Sequence, residues 1–104
     1  MFLVRRVFKV KKGTGRKAAE VITQIGQMYD GAGQRTPSLV YLSGSTVPGP
    51  ADTVNMDWTA ETLESAYRPD NVAAKPTGED DLFAKLREYQ EETYIEFYEM
   101  YSGA

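Results

Sequence analysis

Phe2-Leu3-Val4-Arg5-Arg6-Val7-Phe8-Lys9-Val10 near the start and Tyr94-Ile95-Glu96-Phe97-Tyr98-Glu99-Met100-Tyr101 near the end decide the architecture of this chain. Both stretches have β-strand composition, and both are apolar on the two parities of an extended chain. A strand in a sheet with one wet face alternates apolar and polar residues. Here Ile95, Phe97 and Tyr101 fall on one parity and Tyr94, Tyr98 and Met100 on the other. Both faces of the sheet therefore need cover. A chain of 104 residues has few helices to supply it, so a second subunit, a ligand or both is expected on the second face.

Between these ends the order of elements can be followed directly. Gly13-Thr14-Gly15 breaks the first strand, and a helix is expected from Arg16 to Tyr29. Ala18, Val21, Ile22, Ile25, Met28 and Tyr29 form one helical face. Asp30-Gly31-Ala32-Gly33 ends it, glycine supplying the left-handed geometry of helix ends. Leu39 to Ser43 is a second strand, apolar throughout. Thr53 to Trp58 is a third with clean alternation: Val54, Met56 and Trp58 on one face, Thr53, Asn55 and Asp57 on the other. Gly44-Ser45-Thr46-Val47-Pro48-Gly49-Pro50 joins the two as a turn-rich hairpin connection. Thr59 is expected to cap a short helix from Ala60 to Tyr67, and Arg68 to Thr77 reads as a loop. A second long helix, capped by Thr77, is expected from Glu79 to Glu92, with Leu82, Phe83, Leu86, Tyr89 and Thr93 along its apolar stripe. The resulting β-α-β-β-α-β order is the ferredoxin-like, split βαβ arrangement, an α+β fold. It places two helices on one face of a four-stranded antiparallel sheet, with the first and last strands side by side. One domain, residues 1–104, is expected.

Composition narrows the chemistry. There are no cysteines and no histidines, so disulfides, thiolate nucleophiles and histidine-based acid–base, metal or haem ligation are excluded. No apolar run approaches the ~20 residues that span a bilayer. Met1-Phe2-Leu3-Val4 precedes two arginines, the reverse of a secretory signal, so a cytoplasmic location without membrane association is expected. The net charge of −3 hides an asymmetry. Residues 1–35 carry eight basic against two acidic side chains, +6, and residues 36–104 carry four against thirteen, −9. Internal complementarity accounts for this better than nucleic-acid binding, because the acidic part would repel phosphate. Arg5 and Arg6 set against Glu96 and Glu99 on a neighbouring strand would fit.

Few constellations can carry chemistry. Gly13-Thr14-Gly15-Arg16-Lys17-Ala18 matches G-x-G-x-x-A formally, but the acid needed at the end of the next strand is absent: Ser43 stands there. Glu79-Asp80-Asp81 reads as a favourable first helical turn rather than a metal site, and no cofactor is expected. Asn55 and Asp57 are the sharper pair. If their parity faces a partner subunit, they line a cavity there, and Asp57 beside apolar walls is the candidate acid or base. The bland alternative is a solvated strand end, or an ion pair with Arg5 or Arg6 on an adjacent strand. Tyr41, Tyr94, Tyr98 and Tyr101 suit an interface or the wall of an aromatic-ligand pocket.

The chain resembles the dimeric α/β-barrel superfamily, in which two ferredoxin-like subunits pack their open sheet faces together. Within it the similarity is to NIPSNAP-like and antibiotic-biosynthesis-monooxygenase-like families. It rests on element order, on Arg6-Val7-Phe8-Lys9-Val10-Lys11-Lys12-Gly13 leading to the first helix, on Met56-Asp57-Trp58, and on Glu96-Phe97-Tyr98. Lys12-Gly13 stands where NIPSNAP-like chains typically carry Pro-Gly. The resemblance implies a homodimer through the sheet faces. It also implies a cavity between sheet and partner, here lined by Arg6, Tyr41, Asn55, Asp57 and Tyr98, and a small aromatic or polyketide-like ligand. Oxygenation or isomerisation without a cofactor is the implied reaction type. The missing histidines weigh against the haem-degrading branches. The alternative is a non-catalytic interaction or structural dimer with a filled interface.

Overall fold

A computed structural model describes residues 1–31, 37–44, 46–61 and 79–101. The elements are β1 (Phe2–Val10), α1 (Gly15–Gly31), β2 (Leu39–Ser43), β3 (Thr53–Ala60), α2 (Glu79–Arg87) and β4 (Gln90–Glu99). All four strands form one antiparallel sheet in the order β2-β3-β1-β4. This is the ferredoxin-like arrangement, with the first and last strands adjacent in the sheet.

The two helices lie on one face. Ala18, Val21, Ile22, Ile25 and Tyr29 of α1 and Leu86 of α2 form one buried cluster with Phe8, Val10, Val54 and Met56. Leu82, Phe83, Tyr89, Val40, Leu42 and Trp58 pack against it. The period of 3.6 in α1 and the period of 2 in β1 and β3 thus meet in a single core. Gly26 lets α1 approach the sheet closely, since a Cβ there would come within 3.0 Å of Met56 Sδ and of Ser38 Cβ. At the hairpin, Gly44 has φ +90°, and a Cβ would stand 2.6 Å from the Asp52 backbone nitrogen. Only glycine satisfies both that angle and that approach.

Several boundaries differ from expectation: α1 runs from Gly15 to Gly31, taking in Asp30 and Gly31, and β4 ends at Glu99, two residues before Tyr101. β3 continues to Ala60, because Phe2 and Leu3 of β1 supply cross-strand partners for Ala60 and Thr59. Thr59 is therefore a strand residue and not a helix cap. α2 ends at Arg87, five residues early, through tight turns in which Glu88 N–H donates to Lys85 O and Tyr89 N–H to Leu86 O. β4 starts at Gln90, so Thr93 belongs to a strand and not to a helical stripe. Here pairing with β1 overrides the helix preference of Glu88, Glu91 and Glu92. Those residues and Arg87 are exposed. The expected short helix Ala60–Tyr67 beyond its strand residue and Glu61, the Arg68–Thr77 loop and the Thr77 cap lie outside the described residues. Among the described residues no helix is long and apolar enough to cross a membrane.

Candidate functional site

Register assigns each side chain to a face. Phe8 and Val10 are in the helix-covered core, and their parity mates Phe2, Val4 and Arg6 share that face. Leu3, Arg5, Val7 and Lys9 take the open face. Cross-strand partners share a face, so Arg5 brings Asp57 and Glu96, Val7 brings Asn55 and Tyr94, and Leu3 brings Thr59 and Tyr98. Tyr41 pairs with Asn55 and joins them.

Of the five ligand-binding candidates, Tyr41, Asn55, Asp57 and Tyr98 therefore stand on one face. Arg6 does not. It pairs with Met56 and Ile95 on the helix side, where its Nε donates to Thr93 Oγ1 at 3.0 Å. The Thr93 hydroxyl in turn donates to Val7 O at 2.9 Å. Arg6 thus fastens the β1–β4 seam, and the expectation that it lines an open-face cavity is not met. The one-residue difference between Arg5 and Arg6 is a change of sheet face. Of the expected partners, Glu96 stands opposite Arg5, whereas Glu99 stands opposite Phe2.

The arginine of the open face is Arg5, which sequence reasoning named only as a salt-bridge partner. Its Nε donates to Asp57 Oδ1 at 3.1 Å and its Nη2 to Asp57 Oδ2 at 3.3 Å. This is the bidentate fork that guanidinium and carboxylate planes favour. The Tyr41 hydroxyl donates to the same Oδ2 at 2.9 Å, reaching diagonally from the adjacent strand. The guanidinium carbon lies 5.5 Å from the centre of the Tyr98 ring and 6.0 Å from that of Tyr41, within cation–π range. The Asp57 side chain is 11% exposed, while that of Arg5 retains 30%. Hydrogen bonding to Asp57 is the largest influence on Arg5 and raises its affinity for its proton; burial opposes this, and the Asp57 charge adds to it. Burial pushes the Tyr41 phenol above its ordinary value, the bond to Asp57 and that carboxylate's charge push the same way, and Arg5 pulls back.

The arrangement differs from a carboxylate set among apolar walls. Both Asp57 oxygens already accept protein donors, so Asp57 serves as an anchor for Arg5 and Tyr41. Two parity signals were present. Asp57 sits on the polar parity of β3, and Arg5 and Lys9 share the parity of β1 that excludes Phe8 and Val10. Further along the same face Lys9 Nζ donates to Thr53 Oγ1 at 3.0 Å. Asn55 is half-buried, and its side chain forms no hydrogen bond with the described residues.

Other sequence features find structural roles. In the glycine turn before α1, Gly13 N–H donates to Asp52 Oδ1 at 3.2 Å and the Thr14 hydroxyl to Lys11 O at 2.6 Å. An acidic side chain thus holds the turn where a dinucleotide site would need to receive a pyrophosphate. Trp58 packs against the core cluster. Among the described residues no group of three or more metal-ligating side chains occurs, and the side chains of Glu79 and Asp80 lie outside that set.

β4 is an edge strand with large apolar groups on both faces. Tyr94 and Tyr98 are 41% and 43% exposed on the open side, Ile95 and Phe97 are 40% and 51% exposed on the other, and Tyr101 is fully exposed. This is the two-sided character of the C-terminal stretch, now located at a sheet edge.

No family model matches the sequence, and neither does any curated protein. Solved structures do match the fold. A NIPSNAP domain protein from Burkholderia xenovorans, described as uncharacterized, superposes with a TM-score of 0.62 at 10% identity, over 100% of this chain and 98% of that one. A NIPSNAP family protein from Agrobacterium tumefaciens gives 0.62 at 12% identity, over 92% and 89%. At such identities the likeness is one of fold.

Proposed function

From the NIPSNAP-like, ferredoxin-like fold it has, we propose that this protein binds a small molecule on its open sheet face, enclosed by the same face of a second copy. The observation that carries the proposal is the Arg5–Asp57–Tyr41 network beside Tyr98. It is a polar, charge-bearing cluster on the face that the two helices leave uncovered. Ligand sites combine aromatic walls with a few placed polar groups of this kind. Homodimerisation is supported by the exposed aromatic and aliphatic side chains of β4, since contiguous apolar exposure on a small chain marks an interaction surface. Tyr41, Asn55, Asp57 and Tyr98 remain the proposed lining, with Arg5 in place of Arg6. The reaction, if the bound molecule is transformed, would be a cofactor-independent oxygenation or isomerisation of a small aromatic compound. Such work belongs to a cytoplasmic setting, in keeping with the cysteine-free sequence.

A second reading, a non-catalytic dimer module with a filled interface, has one observation in its favour. Asp57 spends both oxygens on protein donors, as expected of a satisfied buried polar group. Native mass spectrometry of gently purified protein separates the readings. A dimer carrying a reproducible small-molecule adduct supports the binding proposal. A bare dimer that takes up no compound from an aromatic fragment set supports the filled interface. A bare monomer refutes both.

A further inference from the structure

Resting on that reading of the open face, we infer that the molecule it takes is a flat, uncharged aromatic carbonyl compound whose oxygen is held by Arg5 Nη1 beside the Tyr98 ring. Three observations lead there. The first is donor availability. Asp57 engages Nε and Nη2 of Arg5, while Nη1 forms no hydrogen bond with any described residue. The Arg5 side chain is 30% exposed, and three of its five N–H groups, two on Nη1 and one on Nη2, are left by Asp57 for an incoming acceptor. An arginine immobilised by a bidentate partner presents these without a large further loss of rotamer freedom.

The second is shape. The guanidinium lies near the centres of two tyrosine rings, Tyr98 on β4 and Tyr41 on β2. Tyr98 is 43% exposed on the same face. A planar molecule hydrogen-bonded at Nη1 comes alongside that ring, where offset aromatic contact is favourable.

The third is charge, which separates neutral from anionic occupants. Arg5 is flanked by two acids on its own face: Asp57 across β3 and Glu96 across β4. Lys9, the other cation of β1 on this face, stands opposite Glu92 and donates to Thr53. Around Arg5 the positive charge is therefore more than balanced. A carboxylate ligand would meet Glu96 and Asp57 at short range, whereas a carbonyl oxygen gains the Arg5 hydrogen bond without that repulsion. A cationic ligand is disfavoured on other grounds, because Arg5 itself already occupies the space over the two rings.

The test uses three bicyclic probes of nearly one shape: indan-1-one, indene and indene-2-carboxylate. Each is titrated into the full-length, isotope-labelled protein while open-face backbone amides are followed by NMR. The expected result is that indan-1-one binds about tenfold more tightly than indene, the value of one charge-assisted hydrogen bond at a partly exposed donor, and more tightly than the carboxylate. The double variant Arg5→Met/Asp57→Leu, which strands neither charge, should abolish the preference for indan-1-one over indene. Equal binding of ketone and hydrocarbon, or preference for the carboxylate, overturns the inference while sparing the open-face reading. Shifts confined to the helix side, or none with any probe, overturn both.

Discussion

Arg5→Met is the perturbation that tests the open-face network most directly. It removes the fork from Asp57, whose side chain is 11% exposed, and leaves it only the Tyr41 hydroxyl. Breaking a buried ion pair from one side costs roughly 3–5 kcal/mol. The remaining phenolic donor places the expected loss at about 3 kcal/mol. Asp57→Ala should cost less, about 1.5 kcal/mol, because the Arg5 side chain it leaves behind, 30% exposed, can rehydrate. Arg5→Met/Asp57→Leu replaces the pair with apolar groups and should cost about 1.5 kcal/mol, as such replacements leave no stranded charge. The cycle then gives a coupling of about 3 kcal/mol between the two residues. Urea unfolding followed by Trp58, the single tryptophan of the chain, provides the readout at one fixed protein concentration, since association would shift apparent stability. The first variant should also lower Tm by roughly 15 °C for a domain of this size. An Arg5→Met loss within about 0.5 kcal/mol of zero, the surface-substitution range, would refute the reasoning, and so would a double variant equal to the sum of the singles.

Three further outcomes follow from the described geometry. Gly44→Ala should cost about 2 kcal/mol or more in urea unfolding, because a Cβ at φ +90° would meet the Asp52 and Ala51 backbone, which cannot turn aside as a side chain can. Thr93→Val keeps the side-chain shape but deletes the relay from Arg6 to Val7 O, and should lower stability by about 1–2 kcal/mol; no loss would mean that the β1–β4 seam does not depend on it. Tyr41 has a raised proton affinity in the folded state. Its share of stability is complete below the unfolded phenol value and falls as pH rises from about 10 towards the folded value, the range in which only the unfolded state loses the proton. Unfolding measured from pH 8 to pH 11 should show a shallower alkaline decline for Tyr41→Phe than for the parent protein; identical slopes would show that the burial of the phenol has no energetic consequence.

The ferredoxin-like order was legible because strong local signals agree. The bounds of β1 and β2 and the apolar stripe of α1 follow from periodicity, and the alternation in β3 separated Val54 and Met56 from Asn55 and Asp57 before any contact was known. A two-residue period is a local property, so parity within one strand survives without tertiary information. The placement of Arg5 against Arg6 was not legible in this way. Both parities of β1 mix apolar and charged residues, and only the pairing of Phe8 with Val54 under α1 determines which arginine is turned to the core.

The end of α2 makes the same point at a boundary. Glu88-Tyr89-Gln90-Glu91-Glu92 has good intrinsic helix propensity, worth a few tenths of a kcal/mol per residue at most. Against it stand backbone hydrogen bonds along β1, which the isolated segment cannot form. The Lys11 N–H to Tyr89 O bond and the Val10–Gln90 pairing take the segment into the sheet. The amino-acid sequence by itself determined the element order, the apolar faces of α1 and β3 and the two-sided character of the C-terminal strand, because each is written in local period and composition. Tertiary structure alone decided which arginine meets Asp57, where α2 yields to β4, and that Asp57 is held from two strands at once. Those are outcomes of register between strands far apart in the chain, and a slip of one residue would have reversed each face.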